Sequence, residues 1–436
     1  MAAVEIPARG REQIRQLQLE RLQVSLNRAY LHVEFYRQRM DELGIQPEEV
    51  GTFESLRRFP FTTSRDLSEH YPYGLFAMPL RNIVRLKMTP ANEGKPVVVG
   101  FTKHDVAMWQ QLMVRLYRSL GVNDRDIVQL AFNFSLFPGA YTLMQAAEAL
   151  GATLAPSATV SATLQLKIMR DFRSTVLATT PAFALHIVSA MERQGIDPAD
   201  LQLRLVVLGP EPILEAAREH LEVSLGVPVR MLYGVAEMVE PGLAGECLAK
   251  DGLHLAEDQF LAEIVHPATG EPVAPGLEGE LTLTTLGTEA YPLIRYRTGD
   301  ITVLHEAPCV CGQTSARIRP ILRRTDNRVS VRGISFYPEQ IGAILQELDS
   351  SIEDFRLLIH LRHGVGERLE VLLTRSKDGA FPSDSRSSYV DLIRSHLRRQ
   401  LGLGARVQLV ENDRLPMEGL INKTVFRNLS SAYDTP

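Results

Sequence analysis

An α/β fold is predicted for most of this chain, with a smaller α+β domain at its C-terminal end. Three observations carry the prediction. Short apolar runs alternate with longer amphipathic segments up to about residue 240; shorter strands separated by Gly-Pro turns follow Pro241; and beyond residue 326 strand-like runs precede a further helix. The chain has 436 residues, which at roughly 100–200 residues per domain implies two or three domains.

Residues 10–45 place Ile14, Leu17, Leu22, Val24, Leu26, Tyr30, Val33 and Tyr36 at spacings that suit an amphipathic helix packed on a core. Residues 80–240 read as α/β. The runs IVQLAF from Ile127, ATLAP from Ala152, STVLATT from Ser174, LRLVVLG from Leu203 and VRMLYG from Val229 each lead through a turn residue or proline into a periodic stretch. Parallel strands joined by crossover helices leave that pattern. FLAEIV from Phe260 and GELTLTTL from Gly279, separated by PATGEPVAPGLEGE, read as a small β-rich part. RLLIHL from Arg356 and LEVLLTR from Leu369, then polar SKDGAFPSDSRSS and helical VDLIRSHLRRQL, suit an α+β domain of about 110 residues. The expected division is 1–325, with 241–325 its β-rich part, and 326–436.

Hydrophobic residues make up 45% and charged residues 23%, so neither disorder nor a fibrous repeat accounts for the chain. The 47 basic against 52 acidic residues give a net charge of -5, with no positive excess to neutralise a phosphate backbone; nucleic acid is excluded as a main partner. No apolar run approaches the ~20 residues that span a bilayer, and the first residues lack a signal peptide's apolar stretch. A cytoplasmic protein without a membrane partner is expected.

The three cysteines all lie between residues 247 and 311. Cys247, His254, Cys309 and Cys311 offer the thiolate and imidazole donors that structural zinc prefers. The alternative is a buried apolar Cys247, free thiols in CVCG and a surface His254, and His266 and His305 compete as ligands. Spacing leaves both readings open.

FPFTTSRDLSEHYPYGLFAMP from Phe59, LYGVAEMVEPGLAGEC from Leu232, YPLIRYRTGDIT from Tyr291, CVCGQTSARI from Cys309 and RRTDNRVSVRGISFYPEQI from Arg323 together resemble the phenylacetate-CoA ligases of the adenylate-forming superfamily. The resemblance runs through residues 53–427. It implies a large N-terminal AMP-binding domain with parallel sheets and a mobile C-terminal domain. The implied chemistry is attack of an aryl or related carboxylate on the α-phosphorus of ATP, with Mg2+, followed by transfer of the acyl group to coenzyme A.

The resemblance also assigns residues. Asp300 would accept hydrogen bonds from the ribose hydroxyls with Arg324 as second ribose contact. Gly209, Glu211 and Pro212 would lie along the adenine, and Tyr233 with Gly234 would stack on the base. Glu237 would coordinate magnesium. Lys423, preceded by Asn422 where the family has glycine, would offset transition-state charge. Asp326 would be the hinge, and Arg332 and Gly333 would lie on the coenzyme A approach. Phe134, Phe137, Tyr141 and Phe183 would wall an aryl pocket. The resemblance also favours Cys247, His254, Cys309 and Cys311 as the zinc set. By residue pattern alone, Asp300 is equally a turn cap, Glu237 a solvated carboxylate and Lys423 a surface lysine.

One motif departs from the family. Its phosphate loop is a Ser/Thr/Gly-rich run ending in Gly-Lys-Pro, and here it reads MTPANEGKP. Thr89, Gly94, Lys95 and Pro96 persist, but Pro90 removes an amide donor and Glu93 brings a negative charge to where phosphates would sit. An impaired, ligand-binding relative, or an enzyme using an amine acceptor, therefore stands beside the main expectation. A homodimer is the assembly expected on base rates.

Overall fold

Residues 10–45 form two helices rather than one, α1 (Arg11–His32) and α2 (Glu34–Leu43), separated by the extended backbone of Val33. The computed structural model describes residues 10–89, 95–134, 139–158, 160–209, 211–349, 352–362, 365–375, 386–410 and 423–427. Of the residues the periodicity predicts, Ile14, Leu22, Leu26, Val33 and Tyr36 are buried, joined by Ala29, Phe35 and Met40, whereas Val24 is 55% exposed. Short helices α3 (Phe53–Leu56) and α4 (Ser64–Glu69) follow, capped by Thr52 and Thr63, whose hydroxyls accept backbone N–H bonds.

Strands β1 (Arg85–Thr89) and β2 (Val97–Phe101) pair antiparallel as a separate ribbon, Lys87 opposite Val99. Helix α5 (Lys103–Ser119) starts from a Thr102–Asp105 capping box. The same buried Asp105 carboxylate accepts the backbone N–H groups of Glu289 at 2.7 Å and Ala290 at 3.1 Å, tying the helix start to a distant loop.

The predicted alternation then follows: β3 (Ile127–Ala131), α6 (Gly139–Ala149), β4 (Thr153–Pro156), α7 (Ala162–Asp171), β5 (Val176–Thr179), α8 (Pro181–Gln194), β6 (Leu205–Leu208), α9 (Glu215–Leu225) and β7 (Val229–Tyr233). The strands run parallel in the order β7-β6-β5-β3-β4. All residues of β5, β6 and β7 are buried, because helices cover both faces of such a sheet and leave no side for polar alternation.

The strands after Pro241 continue this sheet. They are β8 (Ala244–Glu246), β9 (Leu253–Leu255), β10 (Phe260–Val265), β11 (Glu278–Thr285), β12 (Tyr296–His305), β13 (Arg317–Ile318) and β14 (Arg323–Arg324). Leu232 and Tyr233 of β7 pair antiparallel with Gly245 and Ala244 of β8. Among the described residues one hydrogen-bonded path of eleven strands results, and β14, attached to β12, brings the sheet to twelve. Composition marks the change from helix-alternating to strand-rich sequence, but only pairing reveals this continuity.

Beyond it lie β15 (Val329–Val331), β16 (Ile334–Phe336), α10 (Pro338–Leu348), β17 (Ile352–Arg362), β18 (Val365–Arg375), α11 (Arg386–Leu401), β19 (Ala405–Leu409) and β20 (Lys423–Arg427). Strands β19-β18-β17-β20 form a four-stranded sheet. Its apolar face, α10 and α11 make their own core from Val331 to Leu409. Val365 instead joins the cluster of Ala184, Leu185 and Val188 on α8. Among the described residues no helix is long and apolar enough to cross a membrane.

Candidate active site

The C-terminal end of β7 meets β12 through a buried hydrogen bond: the Tyr233 hydroxyl donates to Asp300 Oδ2 at 2.6 Å. The other Asp300 oxygen pairs with Arg324 Nη1, since β12 and β14 set Asp300 opposite Arg324 in register. Arg324 also donates to Asp326 at 2.6 and 2.8 Å and to the Thr298 carbonyl at 2.9 Å. Burial pushes the Asp300 carboxyl up, opposed by Arg324 and Tyr233. Burial also acts on Asp326, but its bonds from Arg324 prevail and hold it below the usual carboxylate range. The two expected ribose residues are thus brought together and bonded to each other, and Arg324 is bonded to the expected hinge residue as well. Asp326 further accepts from the Tyr337 hydroxyl at 3.2 Å.

Gly209 and Gly234 occupy close approaches. A Cβ at Gly209 would come within 2.8 Å of the Phe132 ring, and one at Gly234 within 2.5 Å of Glu240 Cα. Pro212 follows in irregular backbone. Glu211 turns its carboxylate away from solvent, accepting from Ala182 N at 3.2 Å, from Gly333 N, and from Ser330 Oγ at 3.4 Å. Burial raises it to about 7, partly offset by these donors. The residue expected along the adenine therefore also bridges the start of α8 and the β15–β16 turn. In that turn Arg332 and Gly333 have φ values of 54° and 81°, and Arg332 Nε donates to the Glu367 carbonyl at 2.7 Å.

A cavity of about 1470 Å³ lies between these segments. Thr89, Phe183, Glu211, Arg332, Gly333 and Arg398 are among its lining residues. Of the expected aryl wall, Phe183 lines this cavity, whereas Phe134 and Tyr141 pair edge-on at 5.7 Å, with Tyr141 exposed. Phe137 and Gly94 lie outside the described residues. Lys95 is exposed, its ammonium 5.6 Å from the Tyr71 ring centroid.

Sequence reasoning passed over three groups on the cavity wall: Lys87, Glu240 and Arg328. A signal existed in β1. In RLKMT the apolar residues Leu86 and Met88 are 49% and 67% exposed, while Lys87 and Thr89 are buried. The strand is turned with its polar face inward, against the usual preference. Glu237, the expected magnesium ligand, is buried beside Lys87 and Arg328. It lines a small adjoining space with Val99 and Tyr291, whereas Glu240 lines the large cavity.

The cysteine and histidine set converges. The ligand atoms of Cys247, His254, Cys309 and Cys311 all lie within 4.8 Å of one another. Cys247 Sγ is 3.9 Å from Cys309 Sγ, and Cys311 Sγ is 3.5 Å from His254 Nε2. A tetrahedral zinc with sulfur at ~2.3 Å and nitrogen at ~2.0 Å would set those edges at about 3.8 and 3.5 Å, so the donors fit. His254 Nδ1 is held by Ser315 Oγ at 3.0 Å, the outer partner that orients a ligating imidazole. Desolvation, reinforced by Arg317, drives His254 down to about 4, keeping it neutral. Pairing of β9 with β13, His254 opposite Arg317, delivers the histidine to the CVCG turn.

Lys423 begins β20, in register with His360 on β17. Its side chain lies outside the description.

Known proteins match this architecture. The family model for the AMP-binding enzyme C-terminal domain matches residues 333–427. The phenylacetate-coenzyme A ligase of Thermus thermophilus is 38% identical over 84% of this chain and 82% of its own length. That of Escherichia coli is 33% identical over 93% and 92%. Among solved structures, 2-hydroxyisobutyryl-CoA ligase with 2-HIB-AMP and CoA in the thioesterification state gives a TM-score of 0.86 at 24% identity, covering 95% of this chain and 90% of that one. The same ligase in the postadenylation state gives 0.69, with the same identity and coverage. With relatives above 30% identity along most of its length, a paired Asp300 and Arg324 and a matching fold, this chain belongs to the phenylacetate-coenzyme A ligase family of adenylate-forming enzymes.

Proposed function

We propose that this chain joins a carboxylic acid to coenzyme A in two half-reactions. The carboxylate displaces pyrophosphate from ATP to give an acyl adenylate, and the thiol then displaces AMP. The observation that carries this reading is the cavity lined by Thr89, Phe183 and Glu211 together with Arg332 and Gly333, which supports a meeting place for phosphates, acid and thiol. Asp300 and Arg324 are assigned to the ribose, Gly209 to Pro212 and Tyr233 with Gly234 to the base, and Arg332 with Gly333 to the thiol's approach. Magnesium, an oxygen-seeking cation, offsets phosphate charge when bound; Glu237, buried and without a hydrogen bond among the described residues, is its assigned ligand.

The chain is taken to divide at Asp326 into parts 1–325 and 326–436. The higher similarity to a thioesterification-state fold supports assigning the described arrangement to the transfer step. Lys423 then belongs to the adenylation arrangement. The Cys247, His254, Cys309 and Cys311 set is assigned to structural zinc, because four protein donors fill a tetrahedron and leave no open position. A cytoplasmic homodimer acting on an aryl acid completes the proposal.

The MTPANEGKP loop favours a second reading, a family member that binds a ligand without adenylating an acid. Hydroxylamine trapping over a panel of aryl acids separates the two. Hydroxamate formation with ATP and magnesium supports the ligase. Its absence, with no thermal shift from ATP and magnesium, supports the impaired scaffold. Hydroxamate without coenzyme A-dependent AMP release would indicate a different acceptor, such as an amine.

A further inference from the structure

The inward-facing lysine of β1 is chemically unfinished. Lys87 is 7% exposed, lines the large cavity, and holds its ammonium 5.5 Å from the Trp109 ring centroid and 5.9 Å from that of Phe101. It makes no hydrogen bond or ion pair among the described residues. Glu240 lines the same cavity, and its carboxylate is likewise without a hydrogen bond among them. Each is the other's strongest charged neighbour, yet they do not approach as an ion pair, which requires an N···O separation of 4.0 Å or less.

A buried cation and a carboxylate that line one cavity without pairing can both be met by an atom that accepts from one and donates to the other. A hydroxyl does both. The backbone fixes the pair: β2 holds Lys87 in register, and the Glu240 carbonyl abuts Gly139 at the start of α6 so closely that a Cβ there would clash.

We propose that Lys87 and Glu240 determine acid specificity by bridging a hydroxyl group of the substrate, so that the enzyme prefers a hydroxylated carboxylic acid over its unsubstituted parent. This inference rests on the acid-activating reading above and adds the class of acid. Lys87 lies outside the motifs that carry that reading, and Glu240, though within the segment from Leu232, has no role in it; an apolar pocket would have no use for a buried ammonium. The hydroxyl oxygen accepts from Lys87 Nζ and its proton points to Glu240.

The test measures affinities of the full-length chain for phenylacetate and its 2-, 3- and 4-hydroxy derivatives by calorimetry, in the natural protein and in Lys87→Met and Glu240→Gln. Hydrogen bonds to charged groups imply a preference of roughly 10- to 100-fold for one hydroxylated isomer. Lys87→Met keeps the stem over the rings and should erase the preference while retaining affinity for phenylacetate. Because the readout is a ratio of two acids within one variant, a general loss of stability leaves it interpretable. Equal affinity for every acid in the natural protein, including none, overturns the proposal and leaves water as the bridge; so does a preference that survives Lys87→Met. Hydroxamate trapping on the natural protein is independent. A hydroxyl preference without hydroxamate upholds this pair while refuting acid activation.

Discussion

The Tyr233 hydroxyl and the Asp300 carboxylate, 67 residues apart in sequence, meet at 2.6 Å where β7 ends beside β12. That contact, with Arg324 on the other carboxylate oxygen, fixes the group assigned to the ribose before any nucleotide arrives. Asp300→Ala removes the acceptor for both partners. Saturation at ~100 times the dissociation constant adds about 2.7 kcal/mol of stability. The natural protein should show this in thermal unfolding with ATP and magnesium, and the variant should not. It should also be less stable without ligand by about 1–3 kcal/mol, the cost of leaving buried polar partners unsatisfied.

Glu211 should confer a pH dependence on stability. Burial raises its folded-state value from 4.5 to about 7, so between those values the folded chain binds more protons than the unfolded one. Stability contributed by this group is full at and below about pH 4.5 and is lost as pH rises towards 7. Glu211→Gln removes that loss. The stability difference between variant and natural protein should shift in favour of the variant by on the order of 2 kcal/mol between pH 5 and pH 7.5. Urea unfolding at both pH values measures it, and a difference independent of pH would contradict the buried carboxyl.

Metal content tests the cysteine and histidine set. One equivalent of zinc per chain is expected by elemental analysis of the purified protein. Cys309→Ser should reduce that content and lower the melting temperature, as should a strong chelator, because a structural site contributes its binding energy to folding. A metal-free preparation with unchanged melting would remove zinc from the account.

Lys423 should matter to the first half-reaction alone. Removal of a charge that stabilises a transition state typically costs about 10²–10³ in rate. Lys423→Ala should therefore slow hydroxamate formation by about that factor. Transfer from a supplied acyl adenylate to coenzyme A, followed by AMP release, should stay near the natural rate.

The sequence by itself determined the alternation of β3 to β7 with their helices, because strands buried on both faces must be written as continuous apolar runs. It also singled out the motif residues Tyr233, Asp300 and Arg324 and supplied the donor types of the three-cysteine, one-histidine set, since donor type is carried by residue identity. Tertiary structure decided what pairing and facing control. It joined the strands after Pro241 to the parallel sheet through Tyr233 and Ala244, and it carried His254 to CVCG by setting β9 against β13. It separated Phe183 on the cavity wall from the paired Phe134 and Tyr141. It also turned β1 so that Lys87 faces inward while Leu86 and Met88 face out. A five-residue strand puts three residues on one face and two on the other, and which face meets the cavity depends on its partners, β2 and α5, rather than on its own composition.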